Sequence, residues 1–229
     1  MLLTKWENLP DEMKNEAVYR YYAILKKKMV NLLIKRAFDI IFSFILLIIL
    51  LIPMLIIAVL IKIDSSGKVF FRQTRVTQYG RIFKIFKFRT MVSEAENLGP
   101  QVTALNDSRV TNIGKFLRKF RIDEIPQLIN ILLGDLSFVG TRPETVKYTK
   151  AYTDEMKATL LLTAGVTSLA SIKFKDESEV LGNFKDIEDA YINFVLPKKM
   201  EYNLRYLEEF SLFYDIKIMF NTVLAVIAK

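Results

Sequence analysis

Residues 40–61 read IIFSFILLIILLIPMLIIAVLI, an apolar run that only Ser43 and Pro53 interrupt. As a helix it would measure about 33 Å, close to the thickness of one hydrocarbon core. It has no polar face of the kind a helix in a soluble core keeps toward water. Thirty-nine residues precede it and no small-residue cleavage site follows, which sets it apart from a signal peptide. The segment belongs in lipid.

Its flanks bear on topology. The twenty residues ending at Asp39 contain Arg20, Lys26, Lys27, Lys28, Lys35 and Arg36, and the twenty starting at Lys62 contain Lys62, Lys68, Arg72, Arg75 and Arg81. A spanning helix carries its Lys and Arg excess on the cytoplasmic side, whereas a hairpin that enters and leaves one face has balanced flanks, as here. Pro53, near the middle, removes an i→i−4 hydrogen bond and can bend the helix. A single span with a tolerated Pro is the competing reading.

Composition narrows the chemistry. The chain has 229 residues, room for one domain with appendages. It contains no Cys and no His. That excludes disulfides, thiolate nucleophiles and Ser-His triads, and it argues against a protein zinc site. Catalysis would fall to carboxylates, Lys, Arg, Tyr or hydroxyls, and oxygen ligands favour Mg²⁺. The net charge of +8 points to anionic partners.

Around the apolar run, residues 10–35 read as a helix opening at Pro10-Asp11-Glu12. Its apolar residues Ala17, Tyr21, Ile24, Leu25 and Leu32 alternate with charges. This suits a helix on the membrane surface, a solvated one or a partner-binding one. Residues 63–91, punctuated by Gly67 and Gly80, read as a β-hairpin. The basic–aromatic stretch FKIFKFR (83–89) beside a lipid segment points to anionic lipid or phosphate in preference to nucleic acid. Helical patterns occupy 114–121 and 125–133, an acidic loop 176–190, and a further helix runs from Pro197 to an apolar tail too short to span.

Residues 114–144, GKFLRKFRIDEIPQLINILLGDLSFVGTRPE, carry the densest chemistry. Lys115, Arg118, Lys119 and Arg121 precede Asp123-Glu124. Pro126 permits a helix start, and Ile125, Leu128, Ile129 and Leu132 follow at helical spacing. Two carboxylates among guanidinium groups at a helix start suit a Mg²⁺-bound phosphate ester, with one carboxylate able to attack phosphorus. Read alone, the acidic pair is equally ordinary helix capping. Residues 106–111 and Arg142-Pro143-Glu144 read as turns.

These pieces together resemble the bacterial sugar transferases, the monotopic polyprenyl-phosphate phosphoglycosyl transferases that initiate exopolysaccharide and glycoconjugate assembly. The matching stretches are KRAFD (35–39), the apolar run with Pro53, SSGKVFFRQTRV (65–76), KFRTM (87–91), NDSRVTNIG (106–114), LRKFRIDEIPQLINILLGDLSFVGTRPE (117–144) and TAGVTSLASIKF (163–174). The resemblance implies an α+β, predominantly helical monotopic membrane protein, with a re-entrant helix broken at Pro53, a small β-hairpin and interfacial amphipathic helices. It divides the chain into an N-terminal extension, 1–34, and a transferase domain, 35–229, with the re-entrant helix at 40–61 and the catalytic region at 62–229.

The implied reaction moves a sugar 1-phosphate from a UDP-sugar to a polyprenyl phosphate, typically undecaprenyl phosphate, and releases UMP. It would run at the cytoplasmic face of the bacterial inner membrane with Mg²⁺. By the same resemblance Asp123 is the nucleophile and Glu124 its partner, with both at the metal. Lys87, Arg89, Arg109, Arg118 and Arg142 fall on motif basic positions and are assigned to phosphate or nucleotide contacts. The expected partners are donor, acceptor and membrane lipid, with no nucleic acid; a homo-oligomer is left open.

Three departures stand out. Ile52-Pro53 replaces a frequent Ser-Pro, Thr141-Arg142-Pro143 replaces Pro-Arg-Pro, and Ser168 stands where Gly usually closes the Gly165-Val166-Thr167 stretch. The chain also looks like the compact form of the family. The alternative function is a non-catalytic membrane-anchored adaptor of polysaccharide assembly.

Overall fold

A computed structural model describes residues 2–93, 95, 107–174, 182, 184 and 186–227. It is an α+β structure in which helices dominate. Asn15 opens α1 (Glu16–Lys26), its Oδ1 accepting from the Val18 amide at 2.9 Å. The helix expected over 10–35 is therefore two, because Asn15 supplies the cap that Pro10 cannot and the chain breaks at Lys27–Lys28. Lys28 Nζ holds that break by donating to the carbonyls of Glu208 and Phe210. One face of α1 packs into the body. Val18, Tyr21, Tyr22 and Leu25 are buried in one core with Leu161, Tyr206, Leu207 and Phe210. The alternating charges occupy its outer face.

Helix α2 (Met29–Asp64) has 36 residues, about 54 Å at the usual rise. It begins well before the apolar run, and the 34/35 division falls inside it. Pro53 also lies inside the helix, which continues through it at the loss of one backbone hydrogen bond. Among the described residues α2 is the one helix long and apolar enough to cross a membrane. One edge packs on the body: Leu46, Leu47 and Leu50 against Phe83, Ile85, Leu128 and Ile131, then Met54, Ile57 and Ile61 against Phe88 and Leu117. Ile41, Ile48, Ile52, Leu55 and Val59 stay exposed.

Polar contacts tie both ends of α2 to that same body. Near the start, Lys35 pairs with Asp215 at 2.6 Å, Arg36 donates to the Ile131 and Leu132 carbonyls, and Asp39 accepts from the Phe138 amide. At the other end, Asp64 accepts from the Ile113 amide and Arg89 donates to Ser65.

The hairpin forms as expected. Strands β1 (Phe70–Val76) and β2 (Ile82–Phe88) pair antiparallel, Phe70 opposite Phe88 and Val76 opposite Ile82. Its turn carries Tyr79 and Gly80 at φ of 59° and 75°. The two-residue period sends Phe83 and Ile85 into the core and Lys84 outward. Most of the stretch 83–89 is thus strand, with Phe83, Ile85 and Phe88 buried and Phe86 half-buried under Arg72.

Next come α3 (Asn112–Lys119), capped by Thr111, and α4 (Gln127–Leu133). A short parallel pair, β3 (Ser137–Val139) and β4 (Gly165–Thr167), was not legible in the sequence. At its edge Gly140 and Gly165 meet so closely that a Cβ on Gly165 would lie 2.1 Å from the Gly140 nitrogen. Helices α5 (Val146–Thr149), α6 (Leu169–Lys173) and α7 (Ile187–Ala190) follow. A π-helical turn, Tyr191–Val195, continues into α8 (Leu196–Glu209), and α9 (Leu212–Ile227) closes the described chain. The acidic stretch 176–190 lies largely outside the described residues, as does Asn106; its described end is helical from Ile187. The single helix expected from Pro197 is divided at Phe210–Ser211.

Candidate active site

The Asp123-Glu124 pair sits in a single 3-10 turn, Ile122–Glu124, between α3 and α4. Arg121, just before it, holds a left-handed φ of 55°, a conformation non-glycine residues seldom adopt. That reversal turns the two carboxylates into a cleft of about 770 Å³. Six cations line this cleft (Arg75, Arg118, Lys119, Arg121, Arg142 and Lys199) with three carboxylates, Asp123, Glu124 and Glu144. Leu46 and Leu50 of α2, with Ala225 and Val226 of α9, give it an apolar wall.

The two carboxylates of the pair differ sharply. Glu124 Oε1 accepts from Arg142 Nη2 at 2.6 Å and from Lys87 Nζ at 2.9 Å, while Oε2 has a 3.5 Å contact from Arg142 Nη1. Burial alone would raise its pKa, but Arg142 first and Lys87 next outweigh it and hold the carboxyl well below the usual range. Asp123 is 9% exposed, and no hydrogen bond reaches its carboxylate among the described residues. Burial first, then the neighbouring Glu124 charge, pushes its pKa up, against the pull of Lys87, Arg118 and Arg121. A pair whose pKa values are driven apart can divide roles: Glu124 is a fixed anion, and Asp123 is the more basic and unengaged group.

The basic residues singled out in the sequence divide in two. Arg142 and Arg118 line the cleft, and Lys87 reaches the pair through Glu124. Arg118 Nε also donates to Thr90 Oγ1 at 2.8 Å, and burial lowers its pKa. Arg89 and Arg109 do not line the cleft. Arg89 closes the end of α2, donating to the Ser65 carbonyl at 2.7 Å and to its hydroxyl at 2.9 Å. Arg109 chelates Asp107 and donates to the Ala95 carbonyl. Pro53, on α2, does not line the cleft.

Sequence reasoning missed the opposite wall. There Glu144 accepts from the Tyr191 hydroxyl and from Lys199 Nζ, which also donates to Tyr191 at 2.9 Å. Arg75 donates to the Pro143 carbonyl and to Gln73 Oε1. Tyr191 opens the π turn, an irregularity often found at functional sites. Only the Glu of the Arg142-Pro143-Glu144 turn carried any local signal. Of the departures, Ser168 caps α6 by accepting from the Ser171 amide at 3.0 Å, so its hydroxyl has a structural use.

Among the described residues no group of three or more His, Cys, Asp or Glu gathers to hold a metal ion. The adjacent carboxylates of the pair are the candidate ligands that the cleft offers. Mg²⁺ is commonly bound by one or two carboxylates, with phosphates and water completing its shell. Asp123 is open, and Glu124 Oε2 is the less engaged oxygen of its carboxylate.

A long apolar helix, a hairpin and a cation-lined cleft around an Asp-Glu turn define the class. The chain belongs to the bacterial sugar transferase family, which matches residues 30–229. It is 37% identical over 199 residues to the UDP-glucose:undecaprenyl-phosphate glucose-1-phosphate transferase of Escherichia coli (strain K12), an alignment covering 85% of this chain and 40% of that protein. It is also 37% identical over 193 residues to the UDP-N-acetylgalactosamine-undecaprenyl-phosphate N-acetylgalactosaminephosphotransferase of Aeromonas hydrophila, covering 83% and 43% respectively. The chain thus spans less than half the length of these two relatives. With the uncharacterized sugar transferase EpsL of Bacillus subtilis (strain 168) it shares 31% identity over 198 residues, 86% of this chain and 89% of EpsL.

Proposed function

We propose that this chain transfers a sugar 1-phosphate from a UDP-sugar to a polyprenyl phosphate, with undecaprenyl phosphate the acceptor that the relatives' names favour. The observation that carries this reading is the unengaged Asp123 carboxylate beside a clamped Glu124, in a cleft that six cations and the lipid-facing helix line together. An Asp123 oxygen attacks the phosphorus that bears the sugar. The bond to the uridine phosphate breaks, UMP leaves, and an aspartyl-phosphosugar remains. An oxygen of the polyprenyl phosphate then attacks that phosphorus, and the Asp123 carboxylate is regenerated.

Arg118 and Arg121 beside Asp123 stabilise charge on the group in transit, and Arg142 and Lys87 keep Glu124 ionised and in place. The wall of Leu46, Leu50, Ala225 and Val226 receives the start of the prenyl chain. Mg²⁺, when held by Asp123 and Glu124, would neutralise phosphate charge.

We further infer that α2 enters and leaves the membrane on the cytoplasmic face, with Pro53 marking the bend in lipid. The polar ties from both ends of α2 to one body support this, since a body on one side of a bilayer cannot grip both ends of a spanning helix. Cysteines replacing the exposed Lys27 and Lys68 should both be labelled only from the cytoplasmic side, in a chain with no native Cys. Labelling from opposite sides would show a spanning helix.

The decisive assay is UMP release by protein in nanodiscs, given Mg²⁺, undecaprenyl phosphate and a panel of UDP-sugars. Release with a particular donor, lost on adding EDTA, is expected. Silence from folded protein across the panel would overturn the reading in favour of an adaptor.

A further inference from the structure

Gln127 is a buried polar cleft residue to which the reaction above gives no task. It opens α4, four positions after Asp123 and three after Glu124, and all three line the same cleft. Its side chain is among the most enclosed polar groups in the molecule, at 1% exposure, and its Nε2 has no hydrogen-bond partner. A buried donor without a partner costs stability, and an apolar side chain of the same shape would avoid that cost. The neighbouring Leu128 and Ile131 show that this wall accepts apolar residues readily.

The other buried amide on α4 makes a useful contrast. Asn130 accepts from the Phe86 amide through Oδ1 and donates through Nδ2 to the Lys84 carbonyl and to Asp135. Where α4 needs a buried amide for architecture, its hydrogen bonds are met. In the lining of the same cleft the Thr145 hydroxyl is also buried without a partner. A phosphate-sized, oxygen-rich ligand in this cleft would supply acceptors that the protein lacks.

We propose that Gln127 is a substrate-contacting residue, its Nε2 donating to a non-bridging oxygen of the phosphoryl group as it passes to and from Asp123. This rests on the transferase reading above. The surrounding guanidinium groups attract the whole diphosphate, in ground state and transition state alike. A neutral donor fixed beside the nucleophile instead favours the one geometry in which charge builds on the equatorial oxygens.

The test compares wild type with Gln127→Leu, Gln127→Met and Gln127→Glu in the UMP-release assay, using the donor that wild type accepts, alongside thermal unfolding. Gln127→Leu and Gln127→Met should unfold at or above the wild-type temperature, because the unpartnered donor is gone. Their kcat should fall about 10²–10³-fold, the scale for losing one such donor, with the donor KM within about threefold. Gln127→Glu should lose more, since it places a negative charge against the phosphoryl group. Wild-type-like kcat in both apolar variants, or a kcat loss that only tracks a lowered unfolding temperature, would overturn the proposal and leave the transferase reading intact. No UMP release from wild type would sink both.

Discussion

Two buried aspartates, Asp215 on α9 and Asp123 in the cleft, start from the same physics and end in opposite conditions. Both are nearly covered, at 6% and 9% exposure, and burial is the first cause pushing each carboxyl upward. Asp215 has both oxygens engaged, one by Lys35 Nζ and one by the Tyr206 hydroxyl, each at 2.6 Å. Asp123 has no hydrogen bond among the described residues, and Gln127 and Thr145 nearby hold polar atoms without partners. Burial therefore does not distinguish an architectural carboxylate from a chemical one; the completeness of its hydrogen bonding does. The first cluster joins the long apolar helix α2 to the body, and the second keeps capacity for a ligand.

The largest effect separating the two should come from Asp123→Asn. Turnover should fall by about 10⁴-fold or more, as for removal of a nucleophile elsewhere, while folding is unharmed. The sign follows from the raised pKa. The folded state disfavours the ionised form, so the cost is full above the folded pKa and vanishes below the unfolded value. At neutral pH the uncharged Asn should leave the unfolding temperature equal or higher. Full UMP release by this variant would break the comparison.

Lys35→Met should do the reverse. It strands the Asp215 charge in the interior and should cost about 3–5 kcal/mol of stability, read by denaturant unfolding, with turnover per folded molecule unchanged. Lys35→Met combined with Asp215→Leu should recover most of that loss. If the double variant were no more stable than the single, the pair would not be the coupled unit described.

A smaller effect lies in pH dependence. Arg142 and Lys87 hold Glu124 well below the usual range, so its stabilising contribution persists above the ordinary Glu value and is lost only as pH falls through its lower folded pKa. Asp123, pushed up by burial and by the Glu124 charge, is then the member of the pair that titrates at the higher pH. The acid limb of kcat/KM should bend above the ordinary Asp value of about 3.9, with no second carboxylate in that limb. A bend at or below the ordinary value would show that Asp123 is better solvated than its surroundings imply.

Much of this contrast was legible in the chain. The apolar run, the hairpin and the helix after Asp123-Glu124 all rest on local signals: hydropathy over 22 residues, a two-residue period, and Pro126 beside a helical spacing. The separate turn that holds the pair reads in the sequence as part of the helix start. Arg89 shows what such signals leave open. A basic residue in a motif says that a cation is wanted, and only the fold shows that this one closes α2 at Ser65. The charges along α1 suggested a surface helix, yet Tyr21 and Leu25 are core. A helix with one apolar face reads alike whether lipid or protein covers it.

The amino-acid sequence by itself thus determined that this chain has a lipid-seeking helix, lacks imidazole and thiol chemistry, and places two carboxylates at one turn among cations. Tertiary structure decided which of those charges meet. Tyr191 and Lys199 lie 47 and 55 positions from their partner Glu144, and the partners Lys35 and Asp215 are 180 apart. No local pattern encodes such pairings, because they arise only when distant segments pack and each buried charge is left with whichever partner the packing brings to it.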